Sequence, residues 1–244
     1  MSSNIEWTEV TWNPIIGCDK HSLGCQNCYA HEIALRLQKQ GMKDYEDGFK
    51  VKPLPHRLND PYSWKRPHKV FVNSMSDLFH KDVPLDYLKK IFEVMNNCTQ
   101  HLFQLLTKRA DKMLALANEF KWTDNIMAGV TIESNDYRKR LDYLKSTPSK
   151  LKFISIEPFI APLEKMNFTG IDWIIVGGES GAKARPMNID WVRDIKNWCD
   201  EANVAFWFKQ NSEYGGKKKA PLLDGKLYKN EPHIKLQKDL LDFL

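Results

Sequence analysis

Short apolar runs alternate with amphipathic helical patterns along most of this 244-residue sequence. Their length and composition are typical of buried strands. With a first strand near Val10–Ile16, they make about seven strand-then-helix units: KVFVNS (69–74), LFQLLT (102–107), IMAGVTI (126–132), LKFISIE (151–157), DWIIVGG (172–178) and VAFWFK (204–209). This alternation predicts an α/β fold with a parallel sheet and right-handed crossover connections.

Nearly every apolar run ends in polar or glycine residues. In a closed or partly open (β/α) barrel the strand ends meet at one mouth, where active sites lie. In a doubly wound sheet the same ends would be spread along an edge. We therefore predict a partial or near-complete (β/α) TIM-type barrel of about six to seven units in residues 1–212, with a loop-rich C-terminal appendage in residues 213–244 packed on it.

Composition narrows the class of protein. No run of about eighteen apolar residues occurs, so we expect no membrane span. The segment MSSNIEWTEV has neither a basic start nor an apolar stretch, so we expect no signal peptide. Five unevenly spaced cysteines do not form the pattern of a disulfide framework, and the reducing cytoplasm is the expected location. The net charge of +5 permits an anionic partner such as a nucleotide or nucleic acid without requiring one.

Three of the five cysteines, Cys18, Cys25 and Cys28, follow the first predicted strand with the spacing C-x6-C-x2-C. Two kinds of metal site compete for them. A structural zinc site needs four ligands, and His21 supplies a fourth. An iron–sulfur cluster held by only three thiolates leaves one iron open, which is useful where something must bind there. Spacing does not separate the two, but a position at the barrel mouth favours a reactive cluster over structural zinc.

The arrangement of three cysteines after the first strand of a partial (β/α) barrel resembles that of the radical S-adenosylmethionine (SAM) superfamily. In that superfamily the open iron of a [4Fe–4S] cluster chelates the cofactor, and reductive cleavage yields a 5′-deoxyadenosyl radical. The usual spacing there is C-x3-C-x2-C, so the first gap here is longer. A further set of segments spans almost the whole chain: WNPIIGC, SLGCQNCYA, NSMSDLFH, ISIEPF, GGESGAKARPM and FKQ with LLDGKLY. Together they resemble the phage and prokaryotic three-cysteine family of gene products thirty-seven and sixty-eight, which is considered akin to spore photoproduct lyase-like enzymes.

The resemblance implies a radical SAM enzyme with a [4Fe–4S] cluster and S-adenosyl-L-methionine as cofactors. Its hydrogen-abstraction substrate is unassigned, and a nucleotide or nucleic acid fits the family kinship and the mild basicity. A reductant protein such as flavodoxin or ferredoxin is the implied partner. The alternative function is a non-catalytic zinc protein that binds nucleic acid, with Cys18, His21, Cys25 and Cys28 as ligands.

Six residues at the predicted strand ends are candidates for binding the cofactor. After the second strand, Ser74, Ser76 and Asp77 offer acceptors that suit its ammonium group. By resemblance to lyase-type members, Lys108 after the third strand suits its carboxylate. Thr131 and Glu133 at the end of the fourth strand suit its ribose. The structural alternatives are that the aspartate caps the next turn and that the lysine is an ordinary surface residue. The candidates are Ser74, Ser76, Asp77, Lys108, Thr131 and Glu133.

Three further residues, Glu157, Glu179 and Arg185, are candidates for the catalytic, substrate-facing side of the site. A carboxylate at the end of an apolar strand is costly to bury unless it is paired, so Glu157 either faces the mouth or forms a structural ion pair. Glu179 and Arg185 lie in the glycine-rich segment GGESGAKARPM, and arginine suits a planar carboxylate or phosphate. The spacing of these glycines is not that of a dinucleotide-binding or P-loop motif.

Overall fold

The computed structural model describes residues 5–212 and 221–234. Seven strands form one parallel sheet whose spatial order is the order of the chain. They are β1 (Val10–Trp12), β2 (Lys69–Val72), β3 (Leu102–Thr107), β4 (Ile126–Thr131), β5 (Leu151–Ile156), β6 (Trp173–Gly177) and β7 (Ala205–Gln210). The α/β prediction is confirmed, and the sheet curls into a half-barrel.

Five α-helices occur in the described residues: α1 (Tyr29–Lys39), α2 (Leu85–Asn97), α3 (Ala110–Ala115), α4 (Lys139–Lys145) and α5 (Ile189–Ala202). They lie in the connections after β1, β2, β3, β4 and β6. The connection from β5 to β6, residues 157–172, contains no helix. The predicted alternation of strand and helix is thus interrupted once.

Side chains alternate along every strand between two apolar layers, as the two-residue period of a strand requires. Residues such as Val70, Ile154 and Phe206 pack with the helices in the larger layer. The intervening residues form an aromatic cluster on the concave face of the sheet: Phe71, Phe153, Trp173 and Trp207, covered by Trp7. Burial of each large apolar side chain contributes on the order of 2–3 kcal/mol.

Residues 221–234 cover the β7 edge of the sheet. The Phe208 amide donates to the Tyr228 carbonyl at 2.8 Å, and the Asn230 amide donates to the Phe206 carbonyl at 3.1 Å. These antiparallel bonds satisfy backbone groups that an open edge would leave unpaired. The rest of the predicted appendage, residues 213–220 and 235–244, lies outside the described residues.

Within the described residues, none of the helices combines the length and the apolar character needed to cross a membrane.

Candidate functional site

A cavity of about 470 Å³ lies at the carboxyl ends of the strands. Its volume is within the range of small-molecule sites. Because the strands are parallel and adjacent, polar residues at the carboxyl ends of β2 to β7, or shortly after them, converge on it, as the sequence predicts. Those that line the cavity include Asn73, Ser74, Ser76, Asp77, Lys108, Arg109, Thr131, Ser155, Glu157, Glu179, Lys209 and Gln210.

The three clustered cysteines, Cys18, Cys25 and Cys28, all line this cavity. None of the three forms a disulfide, and each is partly exposed. They lie in the connection between β1 and α1, and Cys28 is the residue that directly precedes α1. Their position at the mouth of the half-barrel is therefore the one that a reactive cluster would need.

The sulfur atoms are not gathered around one point. In the described part of the chain, one group of three potential metal ligands has its ligand atoms, one from each residue, within 4.8 Å of one another. This group is Cys18, Asp19 and His80. A single tetrahedral zinc ion requires ligand atoms about 4 Å apart. The predicted fourth zinc ligand, His21, is exposed and is not among the residues that line the cavity. Cluster thiolates bind separate irons and can lie farther apart than the ligands of one zinc ion, so this arrangement disfavours a closed zinc site and is compatible with an iron–sulfur cluster.

The positively charged guanidinium group of Arg109 contacts two members of this group, Cys18 and Asp19. Arg109 donates from Nη1 to Cys18 Sγ at 3.5 Å and to Asp77 Oδ2 at 3.0 Å, and it also pairs with Asp19. A cation in this position opposes the binding of a lone metal ion there. Burial, with a smaller contribution from Asp77, raises the pKa of the Cys18 thiol to about 11 even though Arg109 partly offsets both effects. Binding of metal by Cys18 must therefore displace a proton.

Asp77 is a buried carboxylate whose hydrogen-bond acceptor positions are all occupied. Its Oδ1 accepts from Thr107 Oγ1 at 2.7 Å and from the Phe79 amide at 3.1 Å. Its Oδ2 accepts from the Lys108 amide at 3.1 Å and from Arg109. A carboxylate offers about four acceptor positions, so Asp77 holds the ends of β2 and β3 together. Its predicted role as an acceptor for a ligand's ammonium stays a prediction and would require one of these donors to leave.

Ser74 and Ser76 are better placed to accept from a ligand. Ser74 Oγ donates to Asn13 Oδ1 at 3.1 Å, and Ser76 Oγ donates to the Ile15 carbonyl at 3.0 Å. Each hydroxyl has used its proton but keeps lone pairs that can accept another bond. Both residues line the cavity, and so does Thr131, which is 3% exposed. These three are the predicted cofactor residues with free acceptor capacity.

Glu133 lies behind the cavity lining, with its side chain fully buried. Its carboxylate pairs with Lys108 Nζ and with Arg140 Nη1, the latter at 2.7 Å. It also accepts from Ser22 Oγ in the cysteine loop, which is residues 18–28. Burial alone would raise the pKa of Glu133, but Lys108 and Arg140 together hold it below its ordinary value. The predicted contact with a ribose stays untested, and in this structure Glu133 joins the cysteine loop to the end of β4.

Gly24 makes this junction possible. A Cβ atom on Gly24 would lie 2.6 Å from Glu133 Oε1 and 2.8 Å from its Cγ. We expect Gly24→Ala to lower the free energy of unfolding by about 1–3 kcal/mol, because the buried carboxylate has no room to retreat. Urea unfolding measures this effect. Leu23→Ala, at the exposed neighbouring position, is the matched control and should change the free energy by less than about 0.5 kcal/mol. Equal effects of the two substitutions would contradict the close contact.

Glu179 and Arg185 form a two-pronged ion pair with each other. Arg185 Nη2 lies 2.7 Å from Glu179 Oε1, and Arg185 Nε lies 2.9 Å from Oε2. Asn27, between two of the cysteines, donates to Glu179 Oε2 at 3.0 Å, and Arg185 Nη2 donates to the Leu23 carbonyl at 3.2 Å. Burial would raise the pKa of Glu179, but the bonds from Arg185 and Asn27 outweigh it and lower the pKa. The pair thus holds the glycine-rich segment against the cysteine loop. Of the two residues, Glu179 lines the cavity and Arg185 does not.

Glu157 faces the cavity and lies beside a cation. Lys209 Nζ is 3.1 Å from Glu157 Oε1, and Ser155 Oγ donates to Oε2 at 3.2 Å. A Cβ atom on Gly177 would lie 2.4 Å from Oε1, so this position on β6 has room for the carboxylate only because it is glycine. The structure thus combines the two alternatives for Glu157, since it both lines the mouth and forms an ion pair.

Asn73 and Lys209 line the cavity but are not among the nine predicted candidates for cofactor binding and catalysis. The signal that finds them is the strand period: Asn73 follows the concave residue Phe71 by two positions, and Lys209 likewise follows Trp207. Asn73 has a left-handed backbone (φ 61°) and is 2% exposed. Neither polar atom of its side chain has a hydrogen-bond partner in the described residues. An unpaired buried amide is costly, which makes Asn73 a candidate for reorganising around a ligand.

Comparison with known proteins identifies one family. The model of the family described as "Protein of unknown function (DUF5131)" matches residues 2–235. No curated protein and no solved structure matches the chain significantly.

Proposed function

The chain belongs to the DUF5131 family of proteins of unknown function, and we propose from its cavity that it is a radical SAM enzyme built on a partial (β/α) TIM-type barrel. Cys18, Cys25 and Cys28 would hold a [4Fe–4S] cluster with one open iron. The observation that carries the proposal is that three free thiols line one cavity together with the polar ends of the strands. The free thiols also suit the cytoplasm as the site of action.

When bound and reduced, the cluster with S-adenosyl-L-methionine supplies reductive cleavage of a C–S bond and hence a hydrogen-abstracting 5′-deoxyadenosyl radical. The chain's own groups bind and orient the cofactor. The Ser74 and Ser76 hydroxyls can accept from its ammonium, and Thr131 can contact a ribose hydroxyl. Lys108 lines the cavity with its side chain 21% exposed, so it can attract the carboxylate while Glu133 fixes its position.

The other side of the cavity supplies groups for a substrate. Glu157 and Lys209 place a carboxylate and an ammonium 3.1 Å apart at the ends of β5 and β7. Trp7, Phe71 and Leu106 form an apolar part of the lining. A wall of this kind excludes water and so limits side reactions of a reactive species. The cation and the aromatic wall suit an anionic ligand with a planar ring, and we propose a nucleotide or nucleic acid as substrate and a flavodoxin or ferredoxin as reductant.

The test is production of 5′-deoxyadenosine. Protein reconstituted anaerobically with iron and sulfide, reduced with dithionite and mixed with SAM should form 5′-deoxyadenosine, detected by mass spectrometry, and omission of dithionite should abolish it. No 5′-deoxyadenosine, even with a mixture of nucleic acids present, would contradict the proposal. A colourless protein that loses zinc on His21→Ala would establish the zinc alternative instead.

A further inference from the structure

Arg109 contacts a motif cysteine from within the protein. Its Nη1 lies 3.5 Å from Cys18 Sγ, and the residue is 6% exposed. Cys25 contacts only a neutral group among its described hydrogen bonds, the Ser22 hydroxyl at 3.5 Å. Among the described hydrogen bonds of the three cysteines, Cys18 is thus the one that accepts from a buried cation. The electrostatic environment of its sulfur therefore differs from that of the others.

The guanidinium is held in place from several sides. Asp77 accepts from the same Nη1 at 3.0 Å, and Asp19 pairs with Nη2. The Arg109 backbone amide donates to Thr107 Oγ1 at 2.9 Å. Since Asp77 is itself fixed by donors from Thr107, Phe79 and Lys108, the guanidinium cannot turn away from Cys18 without breaking a buried network.

We propose that Arg109 is a positioning residue that raises the reduction potential of the cluster by donating a hydrogen bond to the Cys18 thiolate. The inference rests on the proposed function and adds a role for a residue outside the predicted cofactor and substrate sets. Reduction adds one negative charge to the cluster. A nearby cation and an N–H···S bond stabilise that more negative state more than the oxidised state, and hydrogen bonds to cluster sulfurs are among the protein's means of setting potential.

The charges around Cys18 make the effect of losing Arg109 large. Two carboxylates, Asp19 and Asp77, contact the guanidinium, and the buried His80 lies with Nε2 at 3.0 Å from Asp19 Oδ1. With Arg109 present, its positive charge offsets one of the two negative charges. Without it, the guanidinium no longer offsets either carboxylate, so the loss of the hydrogen bond and the change in charge lower the potential in the same direction.

The experiment is an anaerobic redox titration of reconstituted full-length protein, with the reduced cluster followed by electron paramagnetic resonance (EPR). At the potential where half of the wild-type cluster is reduced, we expect Arg109→Gln to have at least a tenfold lower ratio of reduced to oxidised cluster. For a one-electron couple that is a shift of about 59 mV to lower potential. Arg109→Lys should shift the ratio less, because an ammonium keeps the charge but lacks the fork that contacts Asp77 and Cys18 together.

Arg193→Gln is the matched control. Arg193 lies on α5, pairs with Asp190 and Asp224, and does not line the cavity. Its replacement removes the same charge and should leave the ratio within twofold of wild type. Iron and sulfide content is measured on every sample, so that a change in potential is read only from assembled clusters.

An assembled cluster in Arg109→Gln with a ratio within twofold of wild type would overturn the inference while leaving the proposed function intact. Failure of both Arg109 variants to assemble a cluster that the wild type assembles would also overturn it, since Arg109 would then serve assembly rather than potential. A wild-type protein that binds no iron and sulfide would instead show that the proposed function is wrong.

Discussion

Replacement of Cys18, Cys25 or Cys28 by alanine is expected to abolish retention of the proposed [4Fe–4S] cluster. Each sulfur lines the same cavity, and a three-thiolate site has no spare ligand to replace a lost one. Acid-labile sulfide and iron, measured after anaerobic reconstitution and desalting, should fall from about four of each per chain to near zero. The visible absorption of the cluster should disappear in parallel.

Cys98 and Cys199 provide the matched controls for this loss. Both are buried free thiols in helical regions away from the cavity, Cys98 just after α2 and Cys199 within α5. Cys98→Ala and Cys199→Ala should keep the wild-type content of iron and sulfide. If any cavity variant kept the full cluster, or if a control variant lost it, the assignment of the three ligands would be wrong.

Glu133→Gln is expected to cause the largest loss of stability among single substitutions behind the cavity. The substitution removes a buried negative charge that lies between Lys108 and Arg140, and it leaves two cations without their partner. Breaking a buried ion pair in this way costs about 3–5 kcal/mol in the free energy of unfolding. The loss is measured by urea unfolding near pH 7.

The pH dependence of stability provides a second sign of the same ion pairs. The pKa of Glu133 is lowered on folding from its ordinary value of 4.5. Because the unfolded chain then binds the proton more tightly, the stabilisation from Glu133 is complete well above pH 4.5. It is lost as the pH falls below 4.5 through the folded-state pKa. Glu133→Gln should therefore reduce the difference between the free energies of unfolding at pH 6 and at pH 3.5.

Glu164→Gln serves as the control for Glu133. Glu164 pairs with Arg138 at the surface, with its side chain 72% exposed, and such pairs contribute only about 0–1 kcal/mol. A loss below about 1 kcal/mol in Glu133→Gln, or an unchanged pH dependence, would show that the buried charge is not needed to hold the cysteine loop on β4.

The strands were the most predictable part of the fold, for a physical reason. Strands buried on both faces require nearly continuous apolar runs, and runs such as LFQLLT and IMAGVTI mark β3 and β4 in the sequence. Amphipathic spacing predicts helices over residues 108–120 (KRADKMLALANEF) and 135–146 (NDYRKRLDYLKS), and these predictions are less accurate. Only Ala110–Ala115 and Lys139–Lys145 are α-helical, and each patterned segment also contains a short 3₁₀ turn. Amphipathic spacing does not distinguish the tighter turn from an α-helix.

The sequence predicts where the residues of the candidate site gather, but it does not predict which of them form ion pairs. Polar strand ends predict which residues gather at the mouth, because parallel strands share one edge. They do not predict that Glu133 turns away from the cavity toward Arg140, or that Glu179 pairs with Arg185. Such partners are chosen by side-chain direction and by the path of the cysteine loop, and both depend on long-range packing. The strand period, followed two residues beyond Phe71 and Trp207, also indicates Asn73 and Lys209 as cavity residues.

The most direct test of the open-iron cluster is the EPR spectrum of the reduced, reconstituted protein before and after addition of SAM. A cluster held by three cysteines has an iron available to the cofactor, so SAM should change the g-values of the signal, and 5′-methylthioadenosine, which lacks the amino and carboxylate groups that chelate iron, should not reproduce that change at the same concentration. The same spectrum with and without SAM, from a sample containing about four irons and four sulfides per chain, would contradict the open iron.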